Sequence, residues 1–270
     1  MTWAWPRPVA GRRNDMHLRR RPLLPARHHS AGFSLVELAV VVGVLGLLSM
    51  TALSAFDNLG QARQHNAARA QAEAARQALR AFALRNKRLP CPDNSAQGDS
   101  GREAGGGTCG SGQNTGWLPY ESLGLDLPVR AQRLRYGVHR GSTATDLVAP
   151  QPRSADQPDL EGSGGFSTAL ATLATAVAST TQPYFSADGS PEACGGSAHR
   201  TNPAFVLLAP AGDRDGIGGT GFDGAAHRAF ATGAGTCVAP PDHPNDARHD
   251  DVVVAESPSA LLGWLMTATR

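Results

Sequence analysis

From Phe33 to about Leu84 the chain has no proline, and its apolar positions change character halfway along. Leu38 to Leu48 is apolar or glycine at every position, and through Phe56 the only charge is Glu37. Further on, Ala68, Ala72, Ala75, Leu79 and Phe82 recur at three- and four-residue steps on one face. Arg69, Glu73, Arg76 and Arg80 lie on the other, with Arg69 and Glu73 at the i, i+4 spacing of a helical ion pair. The dense alanine favours helix throughout. The pattern predicts one helix of roughly 50 residues, about 75–80 Å at 1.5 Å per residue. Its first half, 33–56, is a transmembrane or assembly segment, and its second half, 57–86, is an amphipathic segment lying on a soluble domain. Gly43 and Gly46 are its weak points and allow close helix approach. It should fray near Asn86, ahead of Pro90.

The remainder, 87–270, reads as one globular α+β domain of short elements among long loops. Arg133 to Val138 alternates polar and apolar, as in a half-buried strand. Ala204–Leu208 and Val252–Ala255 are apolar runs that fit buried strands. Residues 91–116 and 140–165 are rich in glycine and turn-forming residues, the latter as a loop insertion. Phe166, Leu170, Leu173 and Val177 give a short amphipathic helix. Ser257 caps a C-terminal helix with Pro258 in its first turn, burying Leu261, Leu262 and Leu265.

Charge sharpens the N-terminal picture. Of 25 basic and 23 acidic residues, seven arginines and one acid, Asp15, fall in residues 1–32, which leaves the rest at about −4. A basic leader ahead of an apolar segment keeps the N-terminus cytoplasmic, and the acidic remainder argues against nucleic-acid binding. Met16 opens an acid-free segment to Gly32 that would serve alone, so 1–15 is either leader or an over-extended start.

The junction Gly32-Phe33-Ser34-Leu35-Val36-Glu37-Leu38, between that leader and the apolar run, resembles the processing signal of type IV pilins and of the related type II secretion pseudopilins. The resemblance implies that a prepilin peptidase cuts between Gly32 and Phe33 and methylates the new Phe33 amine. It also implies that Glu37, a carboxylate otherwise costly in an apolar helix, pairs with that amine on the same or a neighbouring subunit. Leu89-Pro90-Cys91-Pro92-Asp93, then Cys109, Gly116 to Tyr120 and Leu123 to Leu125 resemble large minor-pilin-like proteins, where a cysteine-clamped loop precedes the first strand. The rival is a conventional secretory signal with Leu38–Leu48 as its core and cleavage near Ser54. Against that rival, Glu37 interrupts the apolar entry and the helical pattern continues unbroken past Ser54.

Four cysteines in an exported chain imply two disulfides with three possible pairings. Proximity favours Cys91–Cys109 and Cys194–Cys237. Calcium is an alternative to plain solvated turns at Asp93, Asp99 and Glu103, and at Asp213, Asp215 and Asp223, although neither set has EF-hand spacing. His243, Asp246, His249, Asp250 and Asp251 have the donor types of a transition-metal site, against the reading of a polar loop before a strand. Gly216 to Gly221 matches G-x-G-x-x-G but lacks the strand and helix a nucleotide site needs. No nucleophile elbow, zinc-protease or P-loop motif occurs, so no catalytic residue is expected.

The expectation is a loop-rich α+β protein, a long N-terminal helix packed on a small antiparallel sheet, acting as a minor pilin or pseudopilin. Its expected partners are other pilin subunits, the prepilin peptidase and an inner-membrane assembly platform, with no cofactor. Its expected placement is single-pass in the inner membrane, N-terminus cytoplasmic and C-terminal domain periplasmic, then in the filament. A filament-borne adhesin or ligand-binding module is the alternative, and an exported soluble enzyme the next.

Overall fold

A computed structural model of the chain describes residues 34–142, 144–149, 165–196, 199–217, 219 and 221–268, without the side chains of 51–58. The leader, Gly32 and Phe33 and most of the expected insertion lie outside the described residues. The chain divides into two units, Met1–Thr51 and Ala52–Arg270.

Helix α1 runs Leu35–Asn86. It stops where the pattern predicts: Lys87 turns into the left-handed region at φ 51°, and the Asn86 side chain donates to the Phe82 carbonyl. The expected transmembrane first half, and with it the single-pass inner-membrane placement, is corrected. Among the described residues no helix is long and apolar enough to cross a membrane. The physical reason is length: Leu38–Leu48 lies between Glu37 and Ser49 and spans about 16 Å, where a bilayer core takes about 30 Å and about 20 residues.

In the second unit, β1 (Thr115–Trp117), β2 (Arg135–Val138), β5 (Phe205–Ala209) and β6 (Val252–Glu256) form a four-stranded sheet in the order β1-β2-β5-β6. Every neighbouring pair is antiparallel, with Tyr136 opposite Leu207 and Leu207 opposite Val254. A two-stranded ribbon, β3 (Phe185–Ser186) and β4 (Arg200–Thr201), stands apart from it. The short helices are α2 (Tyr120–Leu123), α3 (Phe166–Ala174), α4 (Ala225–Thr232) and α5 (Pro258–Ala268).

The sheet is apolar on both faces because both are covered. Tyr136, Phe205, Leu207 and Val254 join Ala72, Ala75, Leu79 and Phe82 of α1 with α3 and α5 in the main core. Alanines at successive α1 turns bring the helix backbone close to the sheet. Val206, Leu208 and Val253 point the other way, into a smaller cluster with Phe222, Phe230 and Val238. Ser257 caps α5 through the Ala260 amide, and Leu261 and Leu265 are buried.

Three local expectations are corrected. β2 is buried at all four positions rather than half-buried, because Arg135 lies over the Trp117 ring, 4.2 Å from its centroid, instead of in solvent. Val177 is 95 % exposed, since α3 ends at Ala174 and its apolar face ends with it. Leu147 and Val148 are buried, so the start of the expected insertion belongs to the core, tied by the Leu89 amide to the Leu147 carbonyl.

His139, just beyond β2, is buried with Nδ1 unpartnered. Burial pushes its pKa down to about 4, with the Asp146 carboxylate opposing. An unfolded histidine titrates near 6.5. Between those values the unfolded chain takes up a proton that the native protein refuses, so stability is full above about pH 6.5 and falls as pH drops toward 4. The slope is about 1.4 kcal/mol per pH unit for one such group. Urea unfolding from pH 7 to pH 5 should therefore show an acid slope that His139→Leu reduces by about one proton. Equal slopes in the two proteins would refute it.

Candidate functional site

Glu37 sits in the first turn of α1. Its carboxylate accepts the Ser34 amide at 2.9 Å, and the Ser34 hydroxyl accepts the Glu37 amide at 3.1 Å. This reciprocal pair is a capping box, which satisfies two amide donors that a helix start otherwise leaves open. The signal, serine followed three residues later by glutamate, is legible in Ser34-Leu35-Val36-Glu37. The carboxylate thus has a local partner whatever else it meets. From 35 to 50, apolar side chains lie exposed on every side of α1, from Leu35 at 85 % to Val41 and Val44 at 49 %. A helix apolar on every side is stable in water only when something covers it. A side chain at Gly43 or Gly46 would meet nothing within 4 Å, so these positions leave room for a neighbouring helix.

Cys91 is bonded to Cys109 and Cys194 to Cys237. The first bond closes the glycine-rich loop between α1 and β1. The second ties the β3–β4 loop to the segment after α4.

The two expected calcium sets fare differently. Asp93, Asp99 and Glu103 are each engaged separately. Asp93 accepts the Ser95 and Gly101 amides, Asp99 pairs with Arg130 and Arg133, and Glu103 pairs with Arg88. Asp213, Asp215 and Asp223 do converge, with donor atoms within 4.8 Å. Each already accepts from the protein: Asp213 accepts the Gly216 amide, Asp215 the Gly224 amide and the Arg228 guanidinium, and Asp223 the Arg214, Asp215 and Asp250 amides. These contacts fold the loop around Gly216, Gly219 and Gly221, which lies between β5 and α4.

Of the C-terminal candidates, Asp246 accepts the Arg248 amide, and Asp250 accepts the Gly212 amide and the Arg214 guanidinium. His249 and Asp251 instead meet His227 of α4, their donor atoms within 4.8 Å of one another. His227 is fully buried. Its Nε2 accepts the Ala239 amide at 3.0 Å and its Nδ1 lies 2.9 Å from Asp251 Oδ2. His243 stands beside His249, ring centroids 5.2 Å apart. Burial pushes His227 down to about 3 and His249 to about 4, and pushes Asp251 well up. A cavity of about 490 Å³ opens against this cluster, lined by His243, His249 and Asp251 on one side and His65, Arg69 and Arg76 of α1 on the other. No local pattern marks His227, a single histidine on an eight-residue helix; only the tertiary fold brings it to Asp251.

No family model matches this chain, and neither a curated protein nor a solved structure matches it.

Proposed function

We propose that this chain is a pilin-type filament subunit, a minor component that primes, joins or tips a type IV pilus or a type II secretion pseudopilus. The observation that carries the reading is the start of α1. Its first part, 35–50, is apolar on every side, is uncovered among the described residues, and opens on a capped turn directly after Gly32-Phe33 in sequence. Its cover on this reading is the same helix of neighbouring subunits, packed into a filament core. Each square ångström of apolar surface so covered is worth about 25 cal/mol, and Gly43 and Gly46 permit the approach. The domain beyond supports the reading: α1 lies on a small antiparallel sheet, and two disulfides fit an oxidising compartment. Partners on this reading are the other pilin subunits, the prepilin peptidase and an assembly platform.

Processing tests it. Mass spectrometry of the mature protein should find an N-terminus at methylated Phe33, and Gly32→Leu should leave the precursor uncut, because a branched side chain obstructs a site shaped for glycine. A mature terminus near Ala55 would end the reading.

A further inference from the structure

We propose that His249 and Asp251, whose donor atoms lie within 4.8 Å of one another, form a site for a divalent transition metal, zinc in the first instance, with His243, its ring centroid 5.2 Å from that of His249, as the third ligand and His227 holding the site from behind. His249 and Asp251 are each 4 % exposed. Neither ring nitrogen of His249 has a hydrogen-bond partner, nor does Asp251 Oδ1 or His243 Nδ1. Buried polar atoms are seldom left so, because the desolvation of each goes uncompensated. A metal ion satisfies Oδ1 and the imidazole lone pairs at once, and leaves His249 a single N–H to place.

His227 belongs to the support and not to the ligand set. Its Nε2 lone pair is taken by the Ala239 amide, which fixes the ring proton on Nδ1, and that N–H donates to Asp251 Oδ2. The Asp223 amide donates to the same oxygen at 2.9 Å. Oδ2 is therefore occupied twice and Oδ1 is the oxygen left for a metal. A histidine that donates to a ligating carboxylate in this way fixes the carboxylate's orientation toward the metal.

The donor types choose the ion. Two imidazoles and a carboxylate suit zinc, with a water completing the set from the open side. The cavity beside the cluster is the route for both. Calcium needs six to eight oxygens, and the neighbouring ones on Asp223 and Asp250 already accept amides and the Arg214 guanidinium.

The test uses the full chain, stripped with chelator and titrated calorimetrically with Zn²⁺ and separately with Ca²⁺, with the Co²⁺ absorption spectrum as a second readout. One Zn²⁺ site is expected whose affinity falls at least about 100-fold in His249→Ala and about 10- to 100-fold in His227→Gln. His243→Ala, at a half-buried position that spares the fold, should weaken it about 10-fold and change the Co²⁺ spectrum. The absence of Zn²⁺ binding in the wild type would overturn the proposal. So would unchanged affinity in both His249→Ala and His243→Ala, which marks binding at other histidines, or Ca²⁺ binding as tight as Zn²⁺.

Discussion

Glu37→Gln and Glu37→Leu should both be cleaved normally, and both should enter filaments poorly. The two variants separate two roles that converge on one carboxylate. Glutamine keeps the capping box, since its amide oxygen can still accept the Ser34 N–H; it removes only the charge. Leucine removes both, and losing the cap costs about 0.5–2 kcal/mol of helix stability. If the carboxylate neutralises the Phe33 amine within an apolar filament core, either variant strands a buried ammonium, at about 3–5 kcal/mol. That is a loss of more than 100-fold in incorporation, read by immunoblotting sheared filaments against total cellular protein. Wild-type incorporation of Glu37→Gln beside a deficient Glu37→Leu would show that Glu37 acts through the helix cap alone. Wild-type incorporation of both would remove Glu37 from assembly altogether.

Arg80→Leu should be the most destabilising single change among the arginines of α1. Glu256, at the end of β6, is 2 % exposed, with Arg80 at 2.8 Å and Arg76 at 3.7 Å. Removing Arg80 leaves a buried carboxylate with only the longer contact, at about 3–5 kcal/mol. Glu256→Leu should cost about 1–2 kcal/mol less, because both arginines are partly exposed and reach water, and Arg76 retains Glu73 at 3.2 Å. The double variant should be more stable than Arg80→Leu, since an apolar pair in place of a buried ion pair is often neutral. Urea unfolding with the disulfides intact measures all three. Equal costs for the two single variants would contradict the asymmetry.

What was legible in the sequence was what repeats locally. The face of Ala68, Ala72, Ala75, Leu79 and Phe82, the end of α1 at Asn86 and the Ser257 cap of α5 follow from spacing and from capping chemistry. The strands read as Ala204–Leu208 and Val252–Ala255 lie within a residue of β5 and β6, and the disulfides join the cysteines that proximity pairs. The length of an apolar run is a poorer guide to its surroundings. Leu38–Leu48 has the greasiness of a span but not the extent, and its neighbours Glu37 and Ser49 bound it. Arg133 and Arg135 read as the wet side of a strand, yet a guanidinium can be buried when an aromatic face takes it, as Trp117 does. The site around Asp251 was half legible. His249 and Asp251 stand close in sequence, whereas His227 comes from an element some twenty residues away and carries no pattern of its own. The role of Ser34 is carried by its spacing, three residues ahead of Glu37, the same carboxylate that stands out as a charge in an apolar helix.

The covering of both sheet faces has a consequence for how such a domain can change. An open sheet face is both a recognition surface and a constraint, because altering one requirement disturbs the other. Here α1, α3 and α5 occupy one face and the cluster around Phe230 the other, so contact with other molecules falls to α1 and to the loops. Those loops are held by Cys91–Cys109 and Cys194–Cys237, and they carry exposed positions, Gly110 to Gly112 and Glu192 to Ala193 among them, beside the buried ones that pack on the strands; it is these exposed positions that other molecules would meet. Their composition is therefore free to drift while the frame that presents them stays fixed, and two such chains can share this architecture while presenting unrelated surfaces.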